Sequence, residues 1–299
     1  MLELLAPAGS MEALRAAVQN GANAVYLGCG SFNARQGAKN FTPQMLQEAV
    51  KYCHIRGVQV HLTLNTLVSD REMSEVSTLI RQAALCGVDA FIVQDLAVVQ
   101  LCRAIAPEVS IHGSTQMTVH SLSGVLMCAA WGMDRVVLSR ELGKEDIAYI
   151  VKNSPVEIEI FAHGALCMCY SGQCYLSSAI GGRSGNRGRC AQPCRQSYGY
   201  GRWENRYPLS LKDKCLLPHL AELERGACSE HYLCSACEDV ERFCSLSFDM
   251  LMSDEVYSLL CATKQDVHDL LCLRGIKLQS KNVLYDVLIH VIKSSWTVE

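Results

Sequence analysis

Seven short β-branched runs, alternating with six longer segments of helical period, succeed one another up to about residue 165, and this alternation restricts the fold more than any other feature. The predicted strands are 2–6, 24–28, 58–64, 90–94, 109–112, 135–138 and 156–161, and apolar residues recur at helical spacing over 11–20, 43–56, 72–86, 97–106, 122–131 and 144–152. Units this closely spaced imply an α/β chain built as a TIM-like (β/α) barrel, short of its eighth strand. A doubly wound open sheet would carry a glycine-rich phosphate turn after its first strand, and Ala6-Pro7-Ala8-Gly9-Ser10 is not one.

In a barrel, active residues gather where strands end. Those ends supply Asn33 and Arg35 after the second strand, Asn65 after the third, Gln94 and Asp95 after the fourth, and His112, Ser114 and Gln116 after the fifth. Arg140 and Glu141 follow the sixth strand and His163 the seventh. Singly, each reads as a cap or a satisfied loop group. Their recurrence at successive strand ends is the functional signal.

Of the 299 residues, 49% are hydrophobic and 19% charged, enough apolar material for a large core. No apolar run is long enough to span a bilayer, and the opening Met1–Pro7 is too short and acidic for a secretory signal, so the expectation is a soluble cytoplasmic protein with no membrane partner. A net charge of −3 gives no general attraction to polyanions, so nucleic acid would need a local basic patch. Seventeen cysteines in a reducing compartment do not read as a disulfide framework. Cys29, Cys53, Cys86, Cys102 and Cys128 stand singly among apolar neighbours, as small buried hydrophobes do.

Five more cysteines crowd into 167–194, within a glycine-rich cluster loop after strand seven. Cys167, Cys174, Cys190 and Cys194 supply two thiols from each side of that loop, leaving Cys169 spare. Spacing alone leaves an iron–sulfur cluster, a zinc ion and no metal all open, since six residues separate Cys167 from Cys174. From 183 to 206 there are six arginines and one acid, interleaved with aromatics. Arg183, Arg187, Arg189 and Arg195 with Tyr198 and Trp203 have the composition of a single-strand RNA platform, guanidinium for phosphate and ring faces for bases. The plainer reading is an arginine-rich loop paired with acids at the barrel rim.

The run from His163 to Cys194, the opening Leu2-Glu3-Leu4-Leu5-Ala6-Pro7-Ala8-Gly9 and Phe32-Asn33-Ala34-Arg35 together resemble the collagenase-like peptidase family U32, over residues 1–224. The resemblance implies oxygen-independent hydroxylation of a pyrimidine in ribosomal or transfer RNA, with prephenate as co-substrate, or of a ubiquinone precursor. It implies a [4Fe-4S] cluster on Cys167, Cys174, Cys190 and Cys194. With strand-end position, it also implies that Arg35 and Arg140 hold the carboxylates of a small diacid while His163 or Glu141 moves protons. Two other readings stand beside it: a collagenase-like peptidase, and a non-catalytic or quinone-hydroxylation subunit carrying a cluster. Proteolysis lacks a G-x-S-x-G elbow and an H-E-x-x-H helix, and a Cys167–His163 pair would compete with metal ligation.

The chain thus divides into barrel units at 1–165, a cysteine-, glycine- and arginine-rich segment at 166–224, and a divergent tail at 225–299. The tail lacks the K-I-E-G-R strand that the resemblance implies, loses the βα rhythm and holds six cysteines. It reads as foreign to the barrel, the product of a frameshift or a spliced coding sequence. Cys228, Cys234, Cys237 and Cys244 with His231 offer a weaker zinc-knuckle reading.

Overall fold

A computed structural model describes residues 3–37, 39–200, 203–216, 219 and 245–249. Strands β1 (Glu3–Pro7), β2 (Ala24–Gly28), β3 (Gln59–Leu64), β4 (Ala90–Val93), β5 (Ser110–Gly113), β6 (Arg135–Val137) and β7 (Glu157–Gly164) alternate with helices. These are α1 (Met11–Gln19), α2 (Pro43–His54), α3 (Met73–Cys86), α4 (Leu96–Ile105), α5 (Leu122–Ala130) and α6 (Lys144–Asn153). After β7 come α7 (Leu176–Gly181), the antiparallel hairpin β8 (Tyr198–Tyr200) and β9 (Trp203–Arg206), then β10 (Lys214–Cys215) and β11 (Ser245–Asp249).

β1 to β7 pair in parallel in chain order, and β11 pairs in parallel with both β7 and β1. Each of these eight strands therefore has a neighbour on both sides, and the sheet closes on itself. The expected gap at the eighth position is overturned: Ser245-Leu246-Ser247-Phe248-Asp249 fills it. Its alternation of apolar and polar residues is a strand signal, but five residues among scattered cysteines carry it weakly. The zinc-knuckle residues of the tail lie outside the described residues.

Local chemistry explains the elements. Ser10, Thr42, Asp95 and Ser121 cap α1, α2, α4 and α5 through their side-chain oxygens, and Pro43 opens α2 with its φ preset. A further device recurs before every second strand. Gly21, Gly87 and Gly132 end helical segments at φ of 91°, 85° and 83°, and two residues later Asn23, Asp89 and Asp134 accept a backbone N–H from the preceding strand. The bonds are Leu4 N to Asn23 at 2.8 Å, Val60 N to Asp89 at 2.7 Å and Ile111 N to Asp134 at 2.8 Å. Left-handed glycine turns the chain, and the polar side chain fixes the register of the next strand pair.

The main core lies between strands and helices, where Leu27, Leu62, Phe91, Ile111, Val136 and Ile160 are buried with the inner faces of the helices. Four of the five scattered cysteines are buried there, and Cys86 is half-buried. The alternate strand residues face the barrel interior, which is polar. Arg135 spans it, bonding both carboxylate oxygens of Glu3 at 3.0 and 2.9 Å and Glu157 at 2.7 Å, with Glu159 at 3.8 Å. The rings of His61 and His112 meet edge to face at 4.8 Å between centroids. Burial holds both neutral: the pKa of His61 falls to about 3, and that of His112 is pushed well down, with Arg135 acting the same way on each.

Candidate active site at the barrel mouth

The loop after β7 lies across the mouth and is pinned to three other βα loops. Gly188, at φ 69°, packs against the Asn33 carbonyl, and its own carbonyl accepts from Gln36 N at 3.1 Å. Leu67 N donates to Asn186 O at 3.0 Å, and the Arg187 guanidinium bonds Leu67 O and the Glu72 carboxylate. On the far side Gly172, at φ 82°, packs on the backbone of Gln116, while Thr118 Oγ1 donates to Ser171 O at 2.7 Å. Thr118 is itself left-handed at φ 58°, a strained conformation for a β-branched residue, placed where the loop docks.

This docking explains most of the strand-end residues. Asn33 is buried and bonds Gly30 O, Asn40 Oδ1 and Arg35 N, so it shapes the β2 loop. Asn65 accepts from Ala34 N at 2.9 Å, and Asp95 caps α4 while accepting from Val68 N at 3.0 Å. Gln116 supplies backbone under Gly172. His112 lies within β5, level with the first residue of β6, so it belongs to the lower interior with His61 and not to the mouth.

The remainder converge. Arg140, on the β6 loop, stacks over Phe161 with its guanidinium carbon 3.9 Å from the ring centroid and bonds Ala165 O. Desolvation lowers its pKa, opposed by Cys167, Tyr26 and Glu141 and reinforced by Arg35. Arg35 and Arg140, from opposite sides of the ring, are thus close enough to repel. Lys214, on β10, donates to Arg140 O at 3.1 Å, and desolvation and Arg140 lower its pKa while Glu141 raises it. Arg35, Arg140, Lys214 and Glu141 therefore share the mouth. Beside them His163 is buried, and β10 runs antiparallel along the end of β7 to bring Asp213 near it.

The four expected cysteine ligands all lie on the loop after β7, and three of them act electrostatically on Cys167. Desolvation pushes the Cys167 thiol up, Arg140 opposes this, and Cys194, Cys190 and Cys174 act on it in that order. Backbone at Gln192, left-handed at φ 53°, directs its N–H to Cys190 Sγ at 3.3 Å. This is a donor set of four soft thiols with a backbone N–H on one sulfur, a chemistry that suits an iron–sulfur cluster or zinc. Among the described residues, no three Cys, His, Asp or Glu side chains stand around one point as a finished metal site.

The arginine platform divides. Arg187 braces the loop, and Arg195 bonds Ser210, Leu211 O and Leu166 O at 2.8, 2.7 and 2.9 Å, so both serve structure. Tyr198 is tethered to Pro193 O at 2.9 Å, and Trp203 lies on β9 with its side chain outside the described set. Arg183 and Arg189 are exposed. The sequence reading missed Tyr170, Tyr175 and Tyr207, 49%, 71% and 61% exposed, which present aromatic faces on the same segment. No helix among the described residues is long and apolar enough to cross a membrane.

A closed parallel barrel with a thiol-bearing loop and a cationic mouth defines the class of molecule. The model of peptidase family U32 matches residues 9–229, and the chain belongs to that family. It is 41% identical over 197 residues to the 23S rRNA 5-hydroxycytidine C2501 synthase of Escherichia coli (strain K12), covering 66% of this chain and 30% of that protein. It is 37% identical over 196 residues to tRNA hydroxylation protein P1 of Bacillus subtilis (strain 168), covering 66% and 46%. It is 33% identical over 281 residues to a collagenase of Porphyromonas gingivalis (strain ATCC BAA-308 / W83), covering 83% and 67%. The chain thus spans less than half the length of these two RNA-modifying relatives. The solved U32 peptidase Mk0906 shares the fold at a TM-score of 0.53 and 13% identity, covering 85% of this chain and 94% of that one.

Proposed function

We propose that this chain takes part in hydroxylating a pyrimidine of ribosomal or transfer RNA, with a small diacid such as prephenate at the mouth and a [4Fe-4S] cluster on the loop after β7. The observation that carries this reading is the meeting of Arg35 and Arg140 with Cys167 and its three neighbouring thiols at one end of the barrel. Cys167, Cys174, Cys190 and Cys194 would hold the cluster, which when bound supplies one-electron chemistry. Two guanidinium groups suit two carboxylates, and the desolvation of Arg140 strengthens its attraction for an anion. Phe161 under Arg140 holds one of those forks in place. Glu141, among cations, and His163, at the inner wall, are the groups able to hold a proton there. RNA would approach over Arg183 and Arg189, with Tyr170, Tyr175 and Tyr207 offering faces to unpaired bases.

Two RNA-modifying relatives support the RNA reading over proteolysis. So does the environment of Cys167, whose electrostatic partners are Arg140 and other thiols rather than His163. The test is nucleoside mass spectrometry of ribosomal and transfer RNA from a deletion strain complemented with this gene. Recovery of a hydroxylated pyrimidine supports the proposal; unchanged RNA with altered quinones, or gelatin cleavage by the purified chain, overturns it. Iron and sulfide analysis after anaerobic purification tests the cluster separately, and stoichiometric zinc without iron overturns that part.

A further inference from the structure

The short strand β10 lies antiparallel on the mouth end of β7, with Lys214 opposite Gly164 and Cys215 opposite His163, and Leu216 N donates to Ala162 O at 2.7 Å. This pairing carries Asp213 and Lys214 to the mouth. Among the buried polar atoms there without a hydrogen-bond partner are Nδ1 of His163 and Oδ2 of Asp213. His163 is 5% exposed and the Asp213 side chain 8%. The other Asp213 oxygen faces Arg195 at 3.7 Å. A buried donor or acceptor left without a partner is costly, so two of them where β10 joins the end of β7 mark a place built to receive a polar group.

We infer that β10 completes the diacid site: Lys214 adds a third cation for carboxylate, and Asp213 with His163 receives a hydroxyl of the same ligand. This rests on the reading of the mouth as a diacid site and deepens it, because the preferred ligand is then a carboxylic acid that also carries a hydroxyl. The hydroxyl donates to Asp213 Oδ2 and accepts from the imidazole. An acid without it leaves both atoms unpaired and is rejected. Asp213 acts on the ligand directly and also through His163, whose pKa burial lowers and the Asp213 charge raises. Other charged groups on the elements packed there are Lys214 beside Asp213, Arg195 behind it and Glu159 on the same face of β7. Asp249 stands at the β11 register position beside Gly164.

The experiment uses the full chain and two measurements. Histidine-ring NMR titration without ligand compares the wild type with Asp213→Asn. The expected result is a lower midpoint for His163 in the variant, and an unmoved midpoint overturns the pairing. Calorimetric titration with prephenate then compares wild type, Asp213→Asn, His163→Gln and Lys214→Met. Each substitution is expected to weaken binding by about ten- to a hundred-fold, the scale of one buried hydrogen bond left unmade. The inflection of wild-type binding at the His163 midpoint should move in Asp213→Asn by the same amount as the NMR midpoint. A merely structural role would weaken binding equally at every pH. Wild-type-like affinity and pH dependence in all three variants overturn the inference. Absence of prephenate binding by wild type, with the NMR shift present, overturns the diacid reading and the role of Lys214 while supporting the Asp213–His163 pair.

Discussion

Gly188 lies against the carbonyl oxygen of Asn33 so closely that a Cβ at this position would overlap it, and its φ of 69° is one that L side chains rarely adopt. Gly188→Ala is therefore expected to cost on the order of 1–3 kcal/mol, felt as release of the thiol loop from the β2 loop. Gly181→Ala, where a Cβ meets nothing within 4 Å, is the matched control. Iron content after anaerobic purification should fall in the first variant and hold in the second.

Arg135 ties β6 to β1 and β7 across the barrel floor. Arg135→Met leaves Glu159, 1% exposed, without that countercharge, and should destabilise the fold by about 3–5 kcal/mol. Urea denaturation of the purified variant checks this, with Arg135→Lys expected to recover part of the loss.

His61 and His112 are held neutral inside the barrel, with folded pKa values below the ordinary 6.5. Protons then bind the unfolded chain first, so stability is full above about pH 6.5 and declines as pH falls toward the folded value of about 3 for His61. The slope approaches about 1.4 kcal/mol per pH unit for each histidine. Urea midpoints from pH 7 to 4 measure it, and His61→Gln should flatten the curve.

Glu72 also lends stability that acid removes, over a lower pH range. Its hydrogen bond from Arg187, followed by those from Ser69, lowers its pKa from 4.5 to about 2. The stability it lends is present above 4.5 and is lost as pH falls toward 2. With Glu72 27% and Arg187 38% exposed, solvent screening limits this to about 1 kcal/mol or less. Glu72→Gln should remove the effect, read as loop proteolysis rates at pH 3 and pH 6.

Cys169 and Cys174 lie on the same loop with different expected fates. Cys174→Ser should lose bound iron and Cys169→Ser should keep it, as measured by iron and sulfide content.

The βα order was legible because each strand is a compact apolar run and most helices have a capped start; predicted and observed elements up to β7 differ at their ends by a residue or two, except that β7 runs three residues further, to Gly164. The interior was harder to read. His112 was expected at the mouth because it ends an apolar run, yet β5 continues to Gly113 and turns its ring toward His61. Asn33, Asn65 and Asp95 were candidates because polar residues follow strands, and they prove to shape the loops that hold the cysteine segment. Lys214 and Asp213 escaped notice because a two-residue antiparallel strand has no periodicity to detect. The repeated Gly21-Ala22-Asn23, Gly87-Val88-Asp89 and Gly132-Met133-Asp134 was visible, but its meaning depends on strand pairing.

Closure of the ring by Ser245–Asp249 sets an order of events during synthesis. All four candidate thiols lie before residue 200, so they leave the ribosome while β1 and β7 still lack the strand that joins them. In order of synthesis, the thiol loop therefore precedes the strand that closes the ring. Loading a cofactor at that stage and sealing the barrel afterwards would be successive steps along one polypeptide, timed by the distance between Cys194 and Ser245 rather than by any moving part of the finished fold.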